Sequence, residues 1–169
     1  MSFSRNPAPL FRNRYRIPSA RLQSWDYRRP GIYFLTICTQ WRDPCLGDLV
    51  GGTVSPSVYG EIVSRNWQRI PDGCPRAKLD AWIVMPDHLH GIVILEPVPP
   101  DSEETSLATV IGQFKAKCTK SIRAMGYLAF TWQERFHDRI LDSLEALERT
   151  RTYIRQNPQR WEAKGRKSG

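Results

Sequence analysis

The stretch Trp82-Ile-Val-Met-Pro-Asp-His-Leu-His-Gly-Ile-Val-Ile-Leu95 decides the fold. Two apolar runs, Ala81–Met85 and Leu89–Leu95, are joined by Pro86-Asp87. A β-rich run, a Pro-Asp break and a second β-rich run predict two strands and a short turn. His88 and His90 open the second strand. Alternate side chains of a strand share a face, so the two imidazoles point the same way, about 6–7 Å apart along the strand. Two neutral imidazoles aimed at one spot make half of a divalent-metal site.

Outward from this pair, the chain reads as one domain with a real core, at 169 residues. No run approaches the ~18 apolar residues that span a bilayer. The basic, Pro-containing start lacks the apolar centre of a secretory signal. Cys38, Cys45, Cys74 and Cys118 form no CxxC pair, which disfavours a disulfide framework or four-thiolate zinc and fits a reducing cytoplasm. The net charge of +8 favours a polyanionic partner. Residues 1–30 read as an extended basic arm. There Arg12, Arg14, Arg16, Arg28 and Arg29 stand among Phe11, Tyr15, Trp25 and Tyr27. Arginine for phosphate and aromatic rings for bases is what single-stranded nucleic acid needs.

Ile32–Thr39 reads as a central strand, apolar on both faces. Leu46–Val54 reads as a short hairpin around Gly51-Gly52. Ser55 or Ser57 caps a helix over Val58–Ile70, ended by Pro71-Asp-Gly-Cys-Pro75. Glu96–Thr105 is a Pro- and acid-rich loop. A helix over Leu107–Met125 carries a buried stripe of Leu107, Val110, Ile111, Phe114, Cys118 and Ile122. Off that stripe Lys115, Lys117, Lys120 and Arg123 could line a phosphate track. Phe130–Leu141 reads as a further strand. A last helix runs from Leu144 to about Asn157, with Leu144, Leu147, Arg151 and Ile154 inward, and Pro158 ends it. From Trp161 a frayed basic tail is expected.

The last helix contains Tyr153-Ile-Arg-Gln-Asn157-Pro158. Positions i and i+4 share a helix face, so Tyr153 and Asn157 project together. A tyrosine hydroxyl can attack a phosphodiester and become a covalent phosphotyrosine. With its ordinary pKa near 10 it needs activation at neutral pH. A cation held by His88 and His90 could polarise that phosphate, and the Asn157 carbonyl could add a third ligand. Mixed nitrogen and oxygen donors with open water positions suit Mg²⁺ or Mn²⁺.

Five blocks together resemble the HUH-type single-strand transposases, in particular the REP-associated tyrosine transposases. They are Tyr33-Phe-Leu-Thr-Ile-Cys-Thr39, Val84-Met-Pro-Asp-His-Leu-His-Gly91, Ile111-Gly-Gln-Phe-Lys115, Trp132-Gln133 and Tyr153-Ile-Arg-Gln-Asn-Pro158. They span roughly residues 25–161 in the family's order. The resemblance implies a single-domain α/β fold of the ferredoxin- or RRM-like kind, with a mainly antiparallel sheet packed by helices. The transposase domain would run over 31–161, between the arm at 1–30 and a tail at 162–169. His88, His90 and Asn157 would be metal ligands, with Mg²⁺ or Mn²⁺ as cofactor, and Tyr153 the nucleophile. The substrate would be single-stranded hairpin DNA of the repetitive extragenic palindrome kind, left with a 5′-phosphotyrosine and a free 3′ hydroxyl. The protein would be cytoplasmic, at the nucleoid, a monomer or homodimer; in dimeric relatives the tyrosine helix can serve the partner's site. Two positions depart from the family. Asp87 stands where Asn is common, and His137-Asp138-Arg139 stands where aromatic-Asp-His is common. The competing readings are a non-catalytic binder of hairpin DNA and, less well supported, a small-molecule metalloenzyme.

Overall fold

The computed structural model describes residues 26–166, together with the backbone of two short paired strands, β1 (Leu10–Phe11) and β2 (Tyr15–Arg16). Arg12 and Arg14 lie outside the described residues, as does the side chain of Arg16. The centre of the fold is a four-stranded antiparallel sheet of β3 (Gly31–Cys38), β6 (Ala77–Met85), β7 (His88–Leu95) and β8 (His137–Ile140), in the order β6-β7-β3-β8. The opening stretch is the β6–β7 hairpin, with Met85 opposite His88. Beta-branched, apolar β7 and β3 occupy the two inner positions, where both faces are covered. A second small hairpin, β4 (Gly47–Val50) and β5 (Thr53–Pro56), turns at Gly51-Gly52 with both glycines at positive φ.

Period-two alternation divides the sheet into two cores. Tyr33, Leu35 and Ile37 of β3, with Leu89, Val93 and Leu95 of β7, face one side. They meet Val63 and Trp67 of α1 (Val58–Gln68) and the stripe Leu107, Val110, Ile111, Phe114, Cys118 and Ile122 of α3 (Leu107–Ala124). The serine hydroxyls cap as their positions require: Ser57 accepts from the amides of Tyr59 and Gly60, and Ser106 from that of Thr109. On the other side Ile32, Ile92, Ile94 and Leu141 meet Leu147 and Ile154 of α4 (Leu144–Arg166). An ion pair fixes α4 on that face. Arg151 grips Asp80 with Nε to Oδ1 at 2.8 Å and Nη2 to Oδ2 at 2.6 Å. Asp80 reaches it from a β-bulge, where one extra residue of β6 lies between Leu79 and Trp82.

Four expectations are corrected. Phe130–Leu141 is not one strand. Only His137–Ile140 pairs with β3, and Trp132 makes a single bridge to Thr39. Its aromatics are spaced for burial as a loop over the core, not for strand alternation. Pro71 does not halt the helical course at once, because α2 (Ile70–Gly73) follows α1 after a break at Arg69. Leu144 is exposed, and Thr150 takes the buried position in its place. Pro158 lies inside α4, which continues to Arg166. A proline removes one amide donor, worth a helix bond to Ile154, but cannot stop a helix whose later turns find packing partners. Trp161 supplies such packing, its ring centroid 6.2 Å from that of His88.

Candidate functional site

β7 presents His88, His90, Ile92 and Ile94 on its α4 face. The first two emerge where α4 leaves the apolar seam, and their ring centroids are 4.5 Å apart. Each Nδ1 is engaged. His88 Nδ1–H donates to Asp87 Oδ1 at 2.5 Å, and His90 Nδ1 lies 2.9 Å from Thr36 Oγ1 on β3. Such contacts fix ring orientation and leave Nε2 of each for a ligand. Asp87 is therefore more than a turn residue. Its second oxygen accepts from Arg42 Nε at 2.9 Å. Burial alone would raise its pKa, but the hydrogen bond and charge of His88 and then Arg42 hold it below the ordinary carboxylate value. Burial, followed by the neighbouring His88, pushes His90 down to about 3. It stays neutral, the state in which imidazole ligates.

Tyr153 projects from α4 beside this pair. Its ring centroid is 5.5 Å from His90 and 6.0 Å from Phe34, edge-on to the latter. The Arg160 guanidinium covers the same ring at 5.5 Å. One helical turn after Tyr153, Asn157 is 6% exposed, and its buried Oδ1 has no hydrogen-bond partner. An unsatisfied buried carbonyl is costly unless something occupies it. Tyr153, His88, His90, Asn157 and Arg160 line one open pocket of about 550 Å³, with Thr36, Arg42, Trp161 and Lys164. Tyr153, His88, His90 and Asn157 are thus brought together within one chain.

This donor set fits a divalent cation. Two oriented imidazoles and the Asn157 side chain, with its orphaned amide oxygen, line one space, and positive side chains rim it. Among the described residues no three His, Cys, Asp or Glu side chains gather at a point; the third donor here is an amide, which carries no charge.

The basic residues expected from sequence divide differently. Lys115 is committed to the fold, donating to the carbonyls of Gln133 at 2.6 Å and Glu134 at 3.0 Å, and burial lowers its pKa. Lys117 and Lys120 are exposed, but α3 packs on the sheet face away from the histidines. Arg28 is exposed and pairs with Asp26 at 3.0 Å. Arg29 is exposed, and its carbonyl accepts from the Tyr33 hydroxyl. None of these lines the tyrosine pocket. Among the described residues the cations that do are Arg42, Arg160 and Lys164. Arg160 and Trp161 stand seven and eight residues after Tyr153, a spacing that shares its helix face. The expected stop at Pro158 hid that signal. His137 lies opposite Thr36 across β3 and β8, while Arg139 stacks over Phe34 at 5.6 Å and donates to Thr150 Oγ1.

No family model matches the chain. It is 28% identical over 160 residues to an uncharacterized protein of Haemophilus influenzae, covering 85% of this chain and 89% of that one. In three dimensions it is similar to a REP-associated tyrosine transposase whose structure was solved bound to a REP hairpin. That similarity has a TM-score of 0.60 and 20% identity, over 82% of this chain and 73% of the other. Among the described residues no helix is long and apolar enough to cross a membrane. The four-stranded antiparallel sheet, with α1 and α3 on one face and the tyrosine helix on the other, is therefore the α/β fold of that transposase.

Proposed function

We propose that this chain is a transposase-like enzyme that cleaves and rejoins single-stranded, hairpin-bearing DNA through Tyr153. The observation that carries the proposal is the shared pocket. The Tyr153 phenol, two oriented imidazoles and the Asn157 side chain, whose buried amide oxygen is unpartnered, line one pocket rimmed by Arg42, Arg160 and Lys164. The phenolic oxygen of Tyr153 attacks a phosphodiester phosphorus. The bond from phosphorus to the 3′ oxygen breaks, that oxygen leaves as a hydroxyl with a proton, and a 5′-phosphotyrosine remains. Attack by a 3′ hydroxyl reverses the step and returns the phenol, so no phosphodiester energy is lost. Arg160 and Lys164 hold phosphate charge at the rim. A divalent cation such as Mg²⁺ or Mn²⁺, when bound by His88, His90 and Asn157, would draw charge from the phosphate oxygens.

Incubation with labelled hairpin-bearing single strands and Mn²⁺ is expected to yield a protein–DNA adduct that survives denaturant, together with a free 3′ hydroxyl. Binding without an adduct under any divalent ion would instead favour a non-catalytic hairpin binder. The amide oxygen has its own test. Asn157→Leu keeps the branched side-chain shape and removes the orphan acceptor. Mn²⁺ affinity by titration calorimetry is expected to fall at least about tenfold. Without metal, the same variant should unfold at higher urea, by about 1 kcal/mol, because a buried unsatisfied polar atom is gone. Unchanged Mn²⁺ affinity would remove Asn157 from the ligand set.

A further inference from the structure

Trp41 is 87% exposed, the most exposed large apolar side chain among the described residues. It sits in the turn Gln40–Arg42 with φ 56° and ψ 18°, and Arg42 follows with φ also 56°. Two successive non-glycine residues in the left-handed region are strained, and such strain persists only where surrounding structure enforces it. Here it does. The amide of Thr39 donates to the Asp87 carbonyl at 3.0 Å, and that of Gln40 to the Thr131 carbonyl at 3.0 Å. Those of Arg42 and Asp43 close back on Thr39 and Gln40. The Thr39 hydroxyl reaches the Asp43 carbonyl at 2.8 Å, and the Tyr127 hydroxyl donates to the Asp43 carboxylate. A rigid, many-bonded turn thus holds an indole in water while its neighbour, Arg42, enters the pocket and bonds Asp87.

Single exposed apolar residues on a surface are ordinary. A braced one, next in the chain to an arginine that lines a pocket rimmed by positive side chains, is different. Resting on the reading of the pocket given above, we propose that Trp41 is a stacking platform for an unpaired base flanking the phosphate that enters the Tyr153 pocket. Every base offers a π face, so the contact grips single-stranded DNA with little regard to sequence. Arg42 keeps the adjoining backbone beside Tyr153. An exposed indole next to a guanidinium suits a base on a charged backbone better than an apolar protein partner.

The test uses the full chain carrying Tyr153→Phe, without metal, so that nothing is cut. Fluorescence anisotropy compares a hairpin bearing a single-stranded flank with the same hairpin made blunt. Trp41→Ala is expected to weaken the flanked hairpin about tenfold or more. Trp41→Phe should stay within about threefold, and the blunt hairpin should be unaffected. An abasic site at the stacked position should make the parent behave like Trp41→Ala. Because Trp41 is exposed, the urea midpoint is expected not to move. Equal binding of flanked DNA by parent and Trp41→Ala, or equal loss on blunt DNA, overturns the platform and leaves the tyrosine chemistry standing. Failure of the parent to bind any of these DNAs overturns both. A shift in sedimentation of the DNA-free protein on Trp41→Ala would make the indole a contact between copies, and likewise ends the proposal.

Discussion

Tyr153→Phe is expected to abolish the covalent adduct and to lower strand cleavage by roughly a thousandfold or more, about 4 kcal/mol of barrier. The substitution deletes one oxygen. The ring keeps its edge contact with Phe34, its place beside His90 and its cover by Arg160. Binding of hairpin DNA should therefore stay within about threefold, and the unfolding midpoint should not change. The measurement is a denaturing gel of labelled strands, run alongside anisotropy on the same preparation. Persistent cutting by the phenylalanine variant would move the nucleophile elsewhere. Cutting and binding lost together would mean that the phenol holds the DNA, not that it attacks it.

Gly91→Ala is expected to cost about 3 kcal/mol of stability, read as a fall of roughly 6–12 °C in the thermal midpoint. A methyl group at this position would meet Trp67 Cζ2 at 2.3 Å and Cη2 at 2.9 Å. The indole has nowhere to go. It is fully buried and packed edge-on against Phe114, with centroids 5.3 Å apart. Gly112 is the control. It lies within α3, and an added methyl there touches nothing within 4 Å. Gly112→Ala should raise stability by about 0.5–1 kcal/mol, since only helix propensity changes. If both variants melted like the parent, the close approach of Trp67 to β7 would be wrong.

The fold was legible wherever one period ran unbroken. The β6–β7 hairpin, the inner position of β3, and the stripe from Leu107 to Ile122 all follow from spacing alone. Punctuation misled where tertiary packing overrode it. Pro158 reads as a stop, yet α4 runs on because Trp161 and Arg160 find the pocket. Phe130–Leu141 reads as a strand because its aromatics are buried, but burial of a covering loop produces the same residues. At the site, His88, His90, Tyr153 and Asn157 could be picked from their spacing. Their company could not. Arg42 reaches Asp87 across 45 residues, a contact no local pattern encodes. Nor does a lysine reveal that its ammonium is spent: Lys115 and Lys120 look alike in sequence, yet only the first is held by carbonyls. Trp41 carried no signal, because the strain that displays it belongs to the turn's hydrogen bonds.

Position parity along β7 has a consequence for how such a chain drifts. Odd-numbered residues from Leu89 to Leu95 face the helices that hold the molecule together, whereas His88 and His90 face the tyrosine. Changes at those two even positions disarm the chemistry and spare the odd-numbered packing face. A lineage freed from selection for that chemistry would then decay first into stable, inert proteins. Folded descendants without the histidines should outnumber descendants that kept them but lost Gly91.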